Sequence, residues 1–143
     1  MAELQNNHSG SCLCGAVHYT VSGEPIMAGH CHCIDCRKSA GTGHVTLAMF
    51  NKADVEITGR LAEHSTIADS GETATRSFCP TCGGRLFSRI SSHPEMLAIM
   101  AGTLDNPEAI QPQFSVFNKN HLSWDMMDPA VPAFDEMPPH EDG

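Results

Sequence analysis

The chain has 143 residues, 8 basic against 17 acidic side chains, a net charge of −9 with histidine neutral, and only 6% aromatic residues. That length suits a single domain burying about two thirds of its unfolded surface, and that charge argues against nucleic acid or an anionic membrane as a partner. With one Trp and one Tyr the material for an apolar core is thin, and no apolar run is long enough to span a bilayer.

Residues 1–9 read as a flexible lead-in, polar and without the apolar run of a secretion signal. The cysteines are therefore expected reduced, in the cytoplasm. Cys12-Leu13-Cys14-Gly15 opens the ordered part and runs into a strand in which Val17, Tyr19 and Val21 alternate with Ala16, His18 and Thr20. After a turn at residues 23–25 comes the densest stretch of the chain, His30-Cys31-His32-Cys33-Ile34-Asp35-Cys36-Arg37-Lys38. A single helical turn fits between Cys33 and Ser39, ended by Ala40-Gly41. Short strands are predicted over 44–50, 55–58, 62–67 and 73–78, separated by Asn, Asp and Gly turn residues. Cys79-Pro80-Thr81-Cys82-Gly83-Gly84 introduces another strand over 85–90. The uninterrupted apolar run at 96–101 reads as a strand buried on both faces, and 113–117 as the last strand. No long 3.6-residue periodicity occurs, so the chain reads as all-β. From 125 to 143 repeated prolines exclude regular structure, and this arm is expected to pack to about Phe134, because apolar residues recur between the prolines.

Seven cysteines with an odd count cannot all pair, and thiolate with imidazole suits zinc. They divide into four plus three. Cys79-x-x-Cys82-Gly83-Gly84 has the form of a zinc knuckle, and Cys12-x-Cys14 in an extended segment presents both thiols on one face. Together they make a closed, structural four-thiolate site. Cys31, Cys33 and Cys36 remain, as three ligands with a fourth position open. His30, His32 or His44 could close that position, although His32, between two ligands, would point to the opposite face of an extended segment. An open thiolate-rich zinc favours an incoming thiol and deprotonates it. The activated sulfur could attack an aldehyde carbon, while Arg37 and Lys38 beside the site could hold an acidic thiol's carboxylates.

Three segments, Gly10-Ser-Cys12-Leu-Cys14-Gly15-Ala-Val17, His30-Cys31-His32-Cys33-x-x-Cys36-Arg37-Lys38 and Arg76-Ser-Phe78-Cys79-Pro-x-Cys82-Gly83, resemble the glutathione-dependent formaldehyde-activating enzyme family. Gly102-Thr103-Leu104-Asp105, His121 and Trp124 are similar to its C-terminal half, so the resemblance runs from about Gly10 to Phe134. It implies a β-tent (Mss4-like) fold of small antiparallel sheets in a domain spanning 10–124. It also implies two zinc ions, a structural one on Cys12, Cys14, Cys79 and Cys82 and a catalytic one on Cys31, Cys33 and Cys36. The implied activity is that of a carbon–sulfur lyase joining glutathione to formaldehyde as S-(hydroxymethyl)glutathione. The alternative is a non-catalytic zinc scaffold, or a protein-interaction module, of the same fold.

Overall fold

Strand alternation sorts side chains onto two faces, and the whole architecture follows from which face each strand buries. The computed structural model describes residues 7–138. In chain order its elements are β1 Asn7–Ser11, β2 His18–Ser22, β3 Met27–Cys31, α1 Ile34–Ala40, β4 Val45–Asn51, β5 Val55–Thr58, β6 Ala62–Ile67, β7 Thr73–Phe78, β8 Arg85–Ile90, β9 Met96–Met100 and β10 Ser115–Val116, with short 3-10 turns between some of them. A three-stranded sheet has the order β1-β2-β5, and a seven-stranded sheet the order β10-β3-β4-β9-β8-β7-β6. All named pairs are antiparallel except β10 with β3. The protein is thus all-β, with one large mixed sheet rather than small antiparallel sheets alone. Among the described residues no helix is long and apolar enough to cross a membrane.

The core lies between the two sheets. In β2, Tyr19 and Val21 are buried while His18, Thr20 and Ser22 are exposed, as the alternation predicts. The large sheet answers with Ala48 and Phe50 of β4, Phe87 of β8, and Leu97 and Ile99 of β9. Tyr19 meets Phe87 edge-on at 5.3 Å between ring centroids, a favoured aromatic geometry. The opposite face of the large sheet surrounds a cavity of about 330 Å³, lined by Leu47 and Met49 of β4 and by Met96 and Ala98 of β9. β9 is therefore covered on both faces, which is why its sequence is a continuous apolar run.

One irregularity in this sheet matters for the cavity. Ser77 pairs with Phe87 and Phe78 with Arg85, so Leu86 is an extra residue on β8. The extra residue resets the alternation. Leu86 and Phe87 are both buried, and Arg85 and Ser88 both reach the cavity although three positions apart.

Two segments differ from expectation. Asn7–Ser11, expected within or beside a flexible lead-in, is strand β1, in register with β2 from Asn7↔Ser22 to Ser11↔His18. Its sequence has no apolar alternation, and main-chain pairing holds it. The last strand is shorter than 113–117, only Ser115–Val116, but its outer edge is paired by the arm. The Phe134 N–H donates to the Ser115 carbonyl at 2.9 Å and the Ser115 N–H to the Pro132 carbonyl at 2.8 Å. The Phe117 N–H then reaches the Glu136 carbonyl at 3.1 Å, so ordered packing continues past Phe134.

Candidate metal centres and the cavity

Cys12 and Cys14 sit in the loop from β1 to β2, and Cys79 and Cys82 in the loop from β7 to β8. Their four sulfurs lie within 4.8 Å of one another. Cys14 is 3.8 Å from both Cys12 and Cys79, sulfur to sulfur. A tetrahedron with Zn–S bonds of ~2.3 Å has edges of about 3.8 Å, so the donor set fits zinc. Backbone N–H groups point at the sulfurs: Val17 at Cys12 (3.4 Å), and Thr81 and Cys82 at Cys79 (3.3 and 3.5 Å). Such donors favour thiolate over thiol. The N–H groups of Gly84 and then Cys14 hold the Cys82 thiol down at about 6.

Cys31 ends β3, Cys33 caps α1 and Cys36 lies in its first turn. The Cys33 sulfur accepts the Cys36 N–H at 3.2 Å, a capping contact that also aims both side chains into one cluster. Gly41, at φ 75°, ends the helix with its N–H on the Arg37 carbonyl, in the left-handed conformation glycine adopts without strain. The three sulfurs lie within 4.8 Å of one another, all half-buried, and no imidazole joins them among the described residues. They share protons as a group. Donation from Cys31, then from Cys36 and its N–H, pulls the Cys33 thiol far down, and the same contacts push Cys31 up. Three thiols gathered this closely suit a soft cation.

All three thiols open onto the cavity. Its wall is mostly apolar, but Arg76 of β7 and Arg85 of β8 enter it beside the sulfurs. The Arg85 Nη1 donates to Ser39 Oγ at 2.6 Å, and its Nε is buried without a partner among the described residues. Burial, and then the Arg76 charge, lowers the Arg85 guanidinium's affinity for its proton. Neither arginine has a carboxylate partner among the described residues, so the pair is ready for an anion. Arg37 and Lys38, expected to hold substrate, stand elsewhere. They occupy the last turn of α1 and do not line the cavity. The sequence placed Arg85 near a cysteine motif, but only the bulge at Leu86 turns it toward the thiols.

A third cluster was not legible in the sequence. His32 falls between Cys31 and Cys33 yet points away from them, wholly buried. It packs against His44 and His121, with ring centroids 5.0 and 5.1 Å away. Asp125 completes the group: its Oδ2 lies 2.7 Å from His44 Nδ1 and 3.5 Å from His32 Nδ1. His30, on β3, stacks edge-on to His44 at 4.9 Å and bonds Thr46 Oγ1 through Nδ1 at 2.8 Å. Burial first, then the neighbouring His44, lowers the proton affinity of both His30 and His32. Asp125 is 81 positions from His44, a separation that no ligand-spacing rule detects.

No curated protein matches the chain. Among solved structures, the crystal structure of a Rhodobacter sphaeroides protein is similar with a TM-score of 0.55 at 25% sequence identity, covering 68% of this chain and 87% of that one. The family described as glutathione-dependent formaldehyde-activating enzyme matches residues 7–120, a span that takes in all seven cysteines and two of the three clusters in full. By that match and by the paired thiol sites just described, the chain belongs to the glutathione-dependent formaldehyde-activating enzyme family.

Proposed function

We propose that the protein is a zinc-dependent carbon–sulfur lyase acting on a thiol–aldehyde adduct, with Cys31, Cys33 and Cys36 as ligands of the reactive metal. One observation carries the reading: three thiols, with no fourth protein ligand among the described residues, open onto a cavity that also holds two arginines without carboxylate partners among those residues. A zinc ion held there would lower the pKa of an incoming thiol and polarise an aldehyde oxygen. The chain's own groups do the rest. Arg76 and Arg85 bind a carboxylate of the thiol substrate, and the apolar wall formed by Leu47, Met49 and Phe114 excludes water and holds the substrate's body. In the forward direction the sulfur loses its proton and forms the S–C bond. The carbonyl π pair moves to oxygen, which takes up a proton, with no net redox change. The reverse step breaks the same bond.

Glutathione and formaldehyde are the reference pair that the family name supplies, with S-(hydroxymethyl)glutathione as the product. Cys12, Cys14, Cys79 and Cys82 hold a second, structural zinc, closed by four thiolates. The seven unbridged cysteines suit a reducing compartment such as the cytoplasm. A purely scaffolding role would leave the open trio and the arginine pair without a use, so the enzyme reading is preferred.

Exchange NMR on glutathione and formaldehyde, with and without protein, tests the reading. The expected result is exchange between free and adduct signals faster than the spontaneous reaction, lost in Cys33→Ser. Exchange at the background rate with fully zinc-loaded protein would remove the activity.

A further inference from the structure

The network on the other side of the Cys31–Cys33 turn has no part in the proposed reaction, yet it is built like a ligand set. We propose that His32, His44 and Asp125 form a third metal site, for a divalent first-row ion such as zinc or iron(II). The three side chains offer one ligand atom each, all within 4.8 Å of one another. Two imidazoles and one carboxylate with open positions is a recurring set for such ions.

An independent observation points to a ligand. His32 has 0% exposure, and neither of its ring nitrogens has a hydrogen-bond partner among the described residues. Orphaned buried polar atoms are uncommon and costly. A cation between His32, His44 and Asp125 gives one of these nitrogens its partner. The Gly43 carbonyl borders the same ring without meeting hydrogen-bond geometry. It is the type of acceptor that metal-bound imidazoles use for their other N–H.

The surroundings are shaped to keep the carboxylate in place. A Cβ at position 43 would come within 2.5 Å of Asp125 Oδ2, so Gly43 leaves the space that Asp125 fills. His121 Nε2 bonds the Asp125 carbonyl oxygen, fixing the backbone from which the carboxylate projects. The His44–Asp125 separation of 2.7 Å is that of a proton-sharing hydrogen bond. Replacing that proton by a metal opens it toward ~3.3 Å, the edge expected for bonds of about 2.0–2.1 Å. Asp125 and His44 keep 11% and 21% side-chain exposure, which gives the ion an entry path. Bound there, it would tie the start of the C-terminal arm to the turn that carries the reactive thiols.

The test starts from full-length protein with its thiolate sites saturated with zinc, confirmed by loss of thiol reactivity, and titrates in cobalt(II) alone. One further equivalent should bind, with visible d–d bands but no sulfur-to-cobalt charge transfer. X-ray absorption at the cobalt edge should give a nitrogen and oxygen shell without sulfur. His44→Gln and Asp125→Asn, checked for folding by circular dichroism, should each weaken this binding by at least about tenfold. Absence of a further equivalent in the unmodified protein, a sulfur shell around the cobalt, or folded variants that bind as tightly as the parent would each overturn the site. The first two outcomes need no variant, so an unfolded mutant does not rescue the idea. Neither result depends on lyase activity.

Discussion

Tyr19 is the only tyrosine in the chain, which makes its chemistry directly readable. It is 2% exposed, and its hydroxyl shares a 2.7 Å hydrogen bond with Thr103 Oγ1. Burial pushes the phenol up to about 12 from its ordinary 10. The folded form therefore holds the proton more tightly than the unfolded chain. The contribution of this group to stability is complete below pH ~10 and is lost as pH rises through about 12. Ultraviolet absorbance should show no tyrosinate at pH 10, and ionisation only together with alkaline unfolding. A half-ionised tyrosine at pH 10 in folded protein would contradict the burial. Tyr19→Phe should cost roughly 0.5–1.5 kcal/mol, the usual size of one hydrogen bond, read as a shift in the urea midpoint. At this scale the sequence was informative where burial is one-sided: the alternation of Val17, Tyr19 and Val21 marked the inner face directly. It was silent about Asp125, whose role is set by contacts with His44, 81 positions away, and with the still more distant His32.

Among the elements, β3 shows most clearly why some strands could not be read. Its sequence Met-Ala-Gly-His-Cys has no clean alternation, because both of its edges are paired and both of its faces are in use. Ala28 faces the core, while Cys31 on the other face lines the cavity. Gly29 is required by its neighbour rather than by its own backbone. A Cβ there would meet the Phe114 ring at 2.6 Å and the Phe114 carbonyl at 2.8 Å. That carbonyl accepts the His30 N–H at 2.9 Å, so the clash falls on the hydrogen bond that seats β10. Gly29→Ala should destabilise the protein by about 1–3 kcal/mol, the range for overpacking. Faster amide exchange at His30 and His32 should accompany the loss, since both N–H groups bond the segment that would be displaced. Unchanged exchange at both amides would show that Phe114 moves aside without disturbing the strand. Strands β5, β6, β7 and β8 were legible to the residue because turn residues bound them on both sides. The bulge at Leu86 was not, since it depends on which residue of β7 each residue of β8 meets.

For the whole molecule, the two thiolate sites carry different burdens. The Cys12–Cys14 loop leads into the small sheet and the Cys79–Cys82 loop joins two strands of the large one. A metal held by these four thiols would fasten the two sheets together near the core, where Cys12 and Cys79 are buried. The Cys31 trio joins only β3 to the short helix beside it. Structural zinc sites supply roughly 10–16 kcal/mol of apparent binding energy in peptides, as much as the net stability of a domain. Cys82→Ser should therefore leave the chain unfolded by circular dichroism, whereas Cys33→Ser should keep the fold. An organomercurial that caps thiols should release two zinc ions from the parent protein and one from Cys33→Ser. Equal collapse of both variants would contradict the division of labour. The cysteine spacing made the grouping of the thiols into four and three legible in advance, because ligand types and short intervals are local properties. The cavity beside the Cys31 trio was not, since its wall draws on strands β3, β4, β7, β8, β9 and β10 and on the arm.

The arm's route past β10 brings Met137 to the cavity wall, although the arm's described residues include no ligand of either thiolate site. The boundary of the cavity is thus partly uncoupled from the thiol clusters and from the sheet core. Variation in a single proline-rich terminal strip could retune which molecules are admitted while both thiolate centres stay as they are. If the proposed reaction holds, exchanging that strip between relatives should change which molecules are admitted while the thiol clusters stay as they are.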